Sequence, residues 1–483
     1  MNYKMIGRII SEILAGEAIF VIPALIISLA DGDGVPATAF IISMGIMLAA
    51  AGILFFLCKN AKNTLGPKDS FVCVGLVWIF LSLTGCLPFY ISGEIPNFID
   101  ALFETVSGFT TTGASVVPNV EVLSRGILYW RSFSHWLGGM GILVLLLAVT
   151  PSINKNGGSA LNLMKSESPG PDVGKIVPKM KQTAKILYLL YIVLTIVDFM
   201  FLKFGGMPWF DSVCTALGTA GTGGFGIKAD SIGSYSPYIQ NVCTVFMLLF
   251  GVNFTVYYLL ITKKFKNAFK NEELWLYIGM FVVSTALISV NVRDYFTTSG
   301  ETVRHAAFQT ASIMSSTGFC TVDFDLWPSF SKGILLCLMM SGACAGSTGG
   351  GLKCSRVIIL FKSLKRNIEQ LLRPQKIQTI HIDGQIIDEK VVSNTNIYLT
   401  AYMILMILSF LIVSIDGFSV STNISAVVSC FNNMGPGYDS AGPMLGFGAF
   451  SPVSKAVLIF DMLAGRLEIM PILVLCSMKA WKK

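Results

Sequence analysis

The chain has 483 residues, 53% of them hydrophobic and only 13% charged, with a formal net charge of +7. Soluble domains carry roughly twice that charged share, so the composition excludes a soluble enzyme or binding domain and points to a helical protein that crosses a membrane many times. The basic balance is no nucleic-acid signature, because Lys and Arg sit in loops between apolar runs; the eleven Cys form no CxxC pair, and His135, His305 and His381 lie too far apart to suggest a metal site.

Two apolar spans open the chain, Ile9–Ala30 and Ala37–Cys58, each with the roughly 20 residues that cross a bilayer. The first is too long for a signal peptide's core and lacks a clear cleavage site, so it is expected to be a retained helix. From Phe71 one layout recurs four times: an apolar span, a short half-polar helix ending in a glycine-bearing loop, and a second span. The first unit has spans at Phe71–Ile91 and Gly126–Thr150 around the helix and loop Asp100–Ser115, and a basic stretch follows with Lys155, Lys165, Lys175, Lys179 and Lys181. The second has spans near Ile186–Phe204 and Ile239–Ile261, followed by Lys263, Lys264, Lys266 and Lys270. The third runs from Leu274–Val290 to a long interrupted span, Gly333–Leu360, whose exit, Lys362–Lys390, is the most polar part of the chain and has room only for a loop or short helix. The fourth has spans near Asn396–Ile415 and Val453–Met478.

The expected fold is therefore an all-α polytopic membrane protein of ten spans. Its units divide at 1–66 for the two leading helices, then 67–152, 153–265, 266–375 and 376–483 for the four repeats. The basic loops fall on one side each time, which predicts cytoplasmic termini and half-helices entering from the outer face. Glu94, Asp100, Glu104, Asp230, Asp323, Asp325 and Asp439 lie on that outer side, as an acidic mouth that would concentrate cations.

The four loop stretches align without a gap: ALFETVSGFTTTGAS (101–115), SVCTALGTAGTGGFG (212–226), AAFQTASIMSSTGFC (306–320) and NISAVVSCFNNMGPG (423–437). Polar loops at membrane depth are tolerated only where protein buries them or they line a watery cavity. Four can surround one axis, and a ring of backbone carbonyls is how a potassium filter replaces an ion's hydration shell. The half-helices would also point their partly negative C-terminal ends at that axis, which favours a cation. The candidate filter is Thr111, Thr112 and Gly113; Thr222, Gly223 and Gly224; Ser316, Thr317 and Gly318; and Asn433, Met434 and Gly435. In the second loop the ungapped alignment selects Gly224. The Thr-Gly pairing seen at Thr112-Gly113 and Thr317-Gly318 selects Gly223, which is preferred with a one-residue shift left open. K⁺ is expected at Thr112, Gly113, Thr222, Gly223, Thr317, Gly318, Met434 and Gly435, with no organic cofactor in this chain.

The interrupted span reads SGACAGSTGGGLKCSR (341–356). A helix interior loses about 1 kcal/mol per Gly relative to Ala, so Ala345, Gly346, Ser347, Thr348, Gly349, Gly350 and Gly351 are expected to be unwound. Lying just inside the filter, they form a candidate gating loop. Gly351-Leu352-Lys353-Cys354 lacks the Gly-Lys-Ser/Thr of a phosphate-binding loop, and no strand precedes it. In the last span, LAGRLEIMP places Arg466 and Glu468 at mid-membrane depth, where charges usually face a cavity or a partner. Two residues apart they do not share a helix face. Arg466 is a candidate positive barrier in the pore, and Glu468 is expected to pair with a basic residue such as Lys353. No catalytic residues are identified: there is no paired His/Glu metal motif, no nucleophile with a base, and no phosphorylation or Walker motif.

Through GTAGTGGFG (218–226), GSTGGGLK (346–353) and GRLEI (465–469), the chain resembles the Trk/Ktr/HKT superfamily of potassium transporters over essentially its whole length. It is most similar to the bacterial TrkH type, whose two leading helices separate it from shorter KtrB-like proteins. The resemblance implies potassium uptake across the bacterial inner membrane through a pseudo-fourfold pore in each subunit of a homodimer. It also implies a cytoplasmic ring of TrkA-like subunits that bind NAD(H) or ATP/ADP and control opening. The loop matching Gly346–Gly351 would gate the pore, and the arginine matching Arg466 would narrow it. Plant relatives with Ser at the position of Gly113 tend to pass sodium, so glycine there favours potassium. The fourth loop departs from the pattern, because Asn433-Met434-Gly435-Pro436 has no Thr-Gly pair. The alternative is a secondary symporter moving H⁺ or Na⁺ with K⁺, for which Glu468 and Asp461 are the deep candidates. Lys155–Lys185 and Lys362–Lys390 are the expected docking loops for the regulatory subunit.

Overall fold

A computed structural model describes residues 1–61, 64–141, 180–375 and 378–481. Six described helical segments are long and apolar enough to cross a membrane: Tyr3–Asp31, Gly34–Leu57, Pro67–Ile91, Lys185–Phe204, Glu272–Asn291 and Glu389–Asp416. Ile19, Leu29, Ile46 and Phe56 on the two leading segments are exposed, as lipid-facing side chains are, whereas Trp78, Phe103, Phe109 and Trp130 are buried between helices. The protein is a multi-pass helical membrane protein. The basic stretch Lys155, Lys165, Lys175 and Lys179 and the end of the Gly126–Thr150 span lie outside the described residues, as does the Lys181 side chain.

The second span of each unit departs from a plain helix. In unit 1, Arg125–Gly139 ends at Met140 and at Gly141, whose φ is +80°. In unit 2 the expected continuous span Ile239–Ile261 is two helices, Pro237–Gly251 and Phe254–Ile261, meeting at 89°. The cause is local. Gly251 closes the first helix, and Asn253 starts the second by accepting the Thr255 N–H at 2.8 Å on its side-chain oxygen. In unit 3, Ser329–Met340 and Cys354–Leu372 flank the unwound glycine-rich stretch. In unit 4, Pro452–Arg466 and Met470–Cys476 are separated by a left-handed pair, Glu468 at φ +54° and Ile469 at φ +67°. A β-branched residue rarely adopts that conformation; here the Ile469 N–H bonds back to the Ala464 carbonyl at 2.7 Å.

Between the two spans of each unit lies a short helix: Phe98–Phe109, Trp209–Gly221, Ser299–Met314 and Val420–Phe431. None has the roughly 20 residues a crossing requires. Asn97, Thr298 and Ser419 cap three of them through their side chains, fixing where each begins. The polar exit of unit 3 holds more than a loop. The strands His381–Ile382 and Gln385–Ile386 form a hairpin on an Asp383-Gly384 turn, with both turn residues at positive φ as that tight turn demands. The Asp383 carboxylate receives the Glu272 N–H at 2.8 Å and the Asn271 side-chain amide at 3.0 Å, seating the hairpin on the start of the third unit's first helix.

Candidate functional site

The four short helices end alike. The N–H groups of Thr111, Thr222, Ser316 and Asn433 return to the carbonyls of Gly108, Thr219, Ile313 and Cys430 at 3.1, 3.1, 3.1 and 3.3 Å. Those four residues have φ of +58°, +54°, +58° and +52°. The next N–H in each loop, from Thr112, Gly223, Thr317 and Met434, bonds to Ser107, Gly218, Ser312 and Ser429 at 2.9, 2.9, 2.8 and 2.9 Å. This is a helix C-cap of the Schellman kind, repeated four times. It also sets the register. Gly224, and not Gly223, stands where Gly113, Gly318 and Gly435 stand. The Thr-Gly pairing misleads because Thr222 matches Thr111, while Gly223 takes the place of Thr112 and Thr317.

At these four glycines the loops meet in a closed ring. A methyl group built on Gly113 would lie 2.6 Å from the Gly224 nitrogen, one on Gly224 2.9 Å from the Gly318 Cα, and one on Gly435 2.8 Å from the Thr112 oxygen. One on Gly318 would strike the Met434 oxygen. Any larger residue would force neighbouring loops apart. Next to the ring, hydroxyl pairs brace the first and third loops, Thr110 with Thr112 at 2.8 Å and Ser315 with Thr317 at 2.7 Å. The Asn433 amide reaches across to Thr112 Oγ1 at 3.0 Å and back to the Met462 carbonyl at 2.8 Å. On one side of the ring is an open pocket to which all four loops contribute, through Gly113 to Ser115, Gly224 to Gly226, Gly318 and Gly435.

The acidic mouth takes a different form from that expected. Glu104 is fully buried, because it lies in the half of its helix that packs into the protein. There its carboxylate receives Arg131 Nε and Nη2 at 2.8 and 2.6 Å, the Val116 N–H at 2.9 Å and the Ser115 hydroxyl at 2.9 Å. Asp100 is paired with Lys455 at 2.6 Å. Asp325 is paired with Lys332 at 3.2 Å and also receives the Asp439 N–H at 2.9 Å. These acids brace loops, as carboxylates taken out of water must find partners to remain charged.

On the other side of the ring lies Ala345–Gly351. The Gly350 N–H donates to Ser316 Oγ at 2.6 Å, and a methyl group on Gly349 would sit 2.8 Å from the Ser315 oxygen. The segment is tied down from several directions. The Phe254 N–H reaches the Gly346 oxygen at 3.1 Å, and Thr348 Oγ1 reaches the Phe250 carbonyl at 3.2 Å, both at the bend of unit 2. Glu273 Oε1 receives the N–H groups of Ala345 and Ser355 at 2.7 and 2.9 Å. Arg466 sits beneath the same loops: Nη1 donates to the Thr348 oxygen at 2.9 Å, Nη2 to the Gly139 oxygen at 2.6 Å and to the Gly138 oxygen, and Thr111 Oγ1 is 3.4 Å away. It thus links units 1, 3 and 4.

Glu468 pairs with Arg356 rather than Lys353. The break after Arg466 turns it toward the start of Cys354–Leu372, where the Arg356 guanidinium also lies 4.0 Å from the centre of the Tyr398 ring. Lys353 bonds instead to the Gly349 carbonyl. Sequence reasoning missed Asn253, Glu273, Arg356, Arg131 and the role of His135. For Arg356, Arg131 and His135 the available signal was an ionisable residue inside an apolar span, which by default marks a site. Arg131 and His135, four apart, both met that description.

Bilayer-length helices, four short helix–loop pairs meeting in one ring and an unwound segment against it define a membrane protein of the transport class. A family model for TrkH, described as a cation transport protein, matches residues 36–280 and 278–483, and the chain belongs to this family. The Trk system potassium uptake protein TrkH of Salmonella typhimurium is 32% identical over 492 residues, and that of Escherichia coli 33% identical over 494, each match covering 100% of both chains. The Escherichia coli protein TrkG, also described as a Trk system potassium uptake protein, is 32% identical over 449 residues, with 92% of this chain and 91% of that one covered. The crystal structure of the potassium transporter TrkH from Vibrio parahaemolyticus matches with a TM-score of 0.88 and 31% identity, over 100% of both chains.

Proposed function

We propose that this chain is a gated, channel-like pore for potassium uptake across the bacterial inner membrane, with both termini cytoplasmic. The observation that carries the reading is the closed ring of Gly113, Gly224, Gly318 and Gly435 lying between a cavity and a glycine-rich plug. In this reading the four loops, around a pseudo-fourfold axis, supply the K⁺ ligands: Thr111 to Gly113, Thr222 to Gly224, Ser316 to Gly318 and Asn433 to Gly435. Backbone groups do this work, which is why the side chains of the fourth loop can differ. Ala345–Gly351 is the gate, and Arg466 holds it while placing a positive charge in the path, where a low dielectric makes it an effective barrier to cations.

The units divide as 1–66, 67–152, 153–265, 266–375 and 376–483. The chain works as a homodimer, with a TrkA-like cytoplasmic ring that binds NAD(H) or ATP/ADP acting on the gate; the relatives' names already speak of a Trk system. It transports and catalyses no covalent step. Flux of K⁺, Rb⁺, Na⁺ and Li⁺ into liposomes tests the reading: K⁺ and Rb⁺ should pass well ahead of Na⁺ and Li⁺. Equal flux of all four would sink it.

One observation favours a second reading, symport with H⁺ or Na⁺. Asp461 is fully buried; one carboxylate oxygen receives the Ser409 hydroxyl at 2.6 Å, and the other has no partner among the described residues. Glu468, paired with Arg356, is the weaker candidate. A reversal potential that follows potassium alone supports the channel; one that moves with a proton or sodium gradient supports the symporter.

A further inference from the structure

His135 is fully buried and joins two different loops. Its Nδ1 lies 2.8 Å from the Gly108 carbonyl, the acceptor that closes the cap before the first loop, and the Phe225 N–H donates to its Nε2 at 3.3 Å. Phe225 directly follows Gly224 of the ring. Both bonds exist together in one tautomer only, the neutral imidazole with its proton on Nδ1. The ring is seated by contact as well: a side chain on Gly223 would collide with it, and one on Gly221 with the His135 backbone. This accounts for two glycines of GTAGTGGFG that the ring itself does not require.

One turn earlier on the same helix face, Arg131 repeats the link. It holds Glu104 of the first short helix, donates Nη1 to the Gly226 carbonyl at 3.3 Å, and lays its guanidinium 4.1 Å from the centre of the Phe225 ring. The fourth unit does without this pair. Gly138 and Gly465 are matched positions, since a methyl group on either would strike the carbonyl of the last residue of its unit's short helix, Phe109 or Phe431. Counting back from them sets Leu458 and Met462 against Arg131 and His135, and both are buried and apolar. Polar side chains at those depths are therefore no requirement of the packing.

We propose that His135, supported by Arg131, is a positioning residue that fixes the second loop against the first and so sets the ion discrimination of the ring. The inference rests on the reading of the four loops as a filter. The experiment compares K⁺/Na⁺ permeability ratios in liposomes for the full-length dimer carrying His135→Asn, His135→Gln or Arg131→Lys, with Gly113→Ser as control. An Asn amide nitrogen occupies the place of Nδ1 and keeps the bond to Gly108 but cannot reach Phe225; a Gln amide oxygen reaches the place of Nε2 and accepts the Phe225 N–H. His135→Asn should lower the ratio about tenfold, and His135→Gln should recover most of that loss. Arg131→Lys keeps a charge beside Glu104 but loses the fork that reaches Gly226, and should lower the ratio severalfold.

Assembled Asn and Gln variants that both keep the wild-type ratio, or that lose it equally, overturn the proposal, because packing alone would then account for His135. Should His135→Asn not assemble, Arg131→Lys decides: a wild-type ratio in that variant overturns the proposal. An unchanged ratio in the Gly113→Ser control removes the filter reading and this inference with it, whereas a changed control beside unchanged His135 variants removes the inference alone.

Discussion

The ring of loops and the plug beneath it are both irregular backbone in the interior of a membrane protein, yet they are held in opposite ways. Each loop is fixed by hydrogen bonds within a stretch of six residues, from Ser107 to Thr112 in the first and likewise in the other three. The plug's local bonds are few: the Ser347 N–H returns to Cys344 just before it, and the Gly342 N–H meets Leu352 across its base. Its anchors are Glu273, Phe250, Phe254, Ser316 and Arg466, which lie far away in sequence. A conformation written into its own six residues persists when neighbours shift. One held by its neighbours follows them, as a switch element must.

Four changes would break or sharpen that contrast. Deleting Gly346–Gly350 removes the plug and leaves every cap of the ring intact. Flux without any regulatory partner should rise about 100-fold, the difference between a path open about 1% of the time and one open nearly always, while the K⁺/Na⁺ ratio stays put. A well-folded deletion whose low flux still rises on adding the partner would place the gate elsewhere.

Arg466→Ala removes the bond to Thr348 and a fixed positive charge together. Charged hydrogen bonds contribute about 1.5–3 kcal/mol, and about 1.4 kcal/mol is tenfold, so flux should rise roughly tenfold at equal protein in the membrane. Failure to assemble would show the arginine to be structural.

Glu273→Gln keeps the shape but makes two charge-assisted bonds neutral, which are about half as strong. A rise in flux of about threefold is expected, again with selectivity kept, and liposome flux at matched protein density measures it. Gly113→Ser addresses the ring instead. Its Cβ would press on Gly224 at a backbone φ of +82°, so the K⁺/Na⁺ ratio should fall severalfold while K⁺ flux changes least among the four variants. An unchanged ratio in assembled protein would detach Gly113 from selectivity.

The same division decides what could be read from the sequence. The loops were legible because their geometry is local: four ungapped stretches predict four alike turns, and the caps bear out that likeness at every position. The register of the second loop went astray only where residue identity was preferred to alignment, at Gly223. The glycine run of unit 3 announced its own unwinding. Its anchors did not announce themselves, since nothing about Glu273 in Asn271-Glu272-Glu273 distinguishes a tether from an ordinary helix start. The bend at Asn253 could have been noticed, because a capping residue directly after Gly251-Val252 is out of place in a continuous span. Glu104 is expected at the mouth because the basic loops place its unit's short helix on the outer side; which half of that helix turns inward is settled by packing against Arg131.

A single oxygen of Glu273 clasps the N–H of Ala345, where the plug begins, and the N–H of Ser355, in the first turn of the helix that follows it. The nine residues between these points form a lariat whose two feet share one peg. Releasing one foot leaves the other in place, so the lariat gains little reach until both have let go. If the segment is the proposed gate, opening of such a clasp should be all-or-none. Current through each pore should accordingly step between shut and one full level, with the time spent at each level, rather than the height of the step, as the quantity a cytoplasmic partner would adjust.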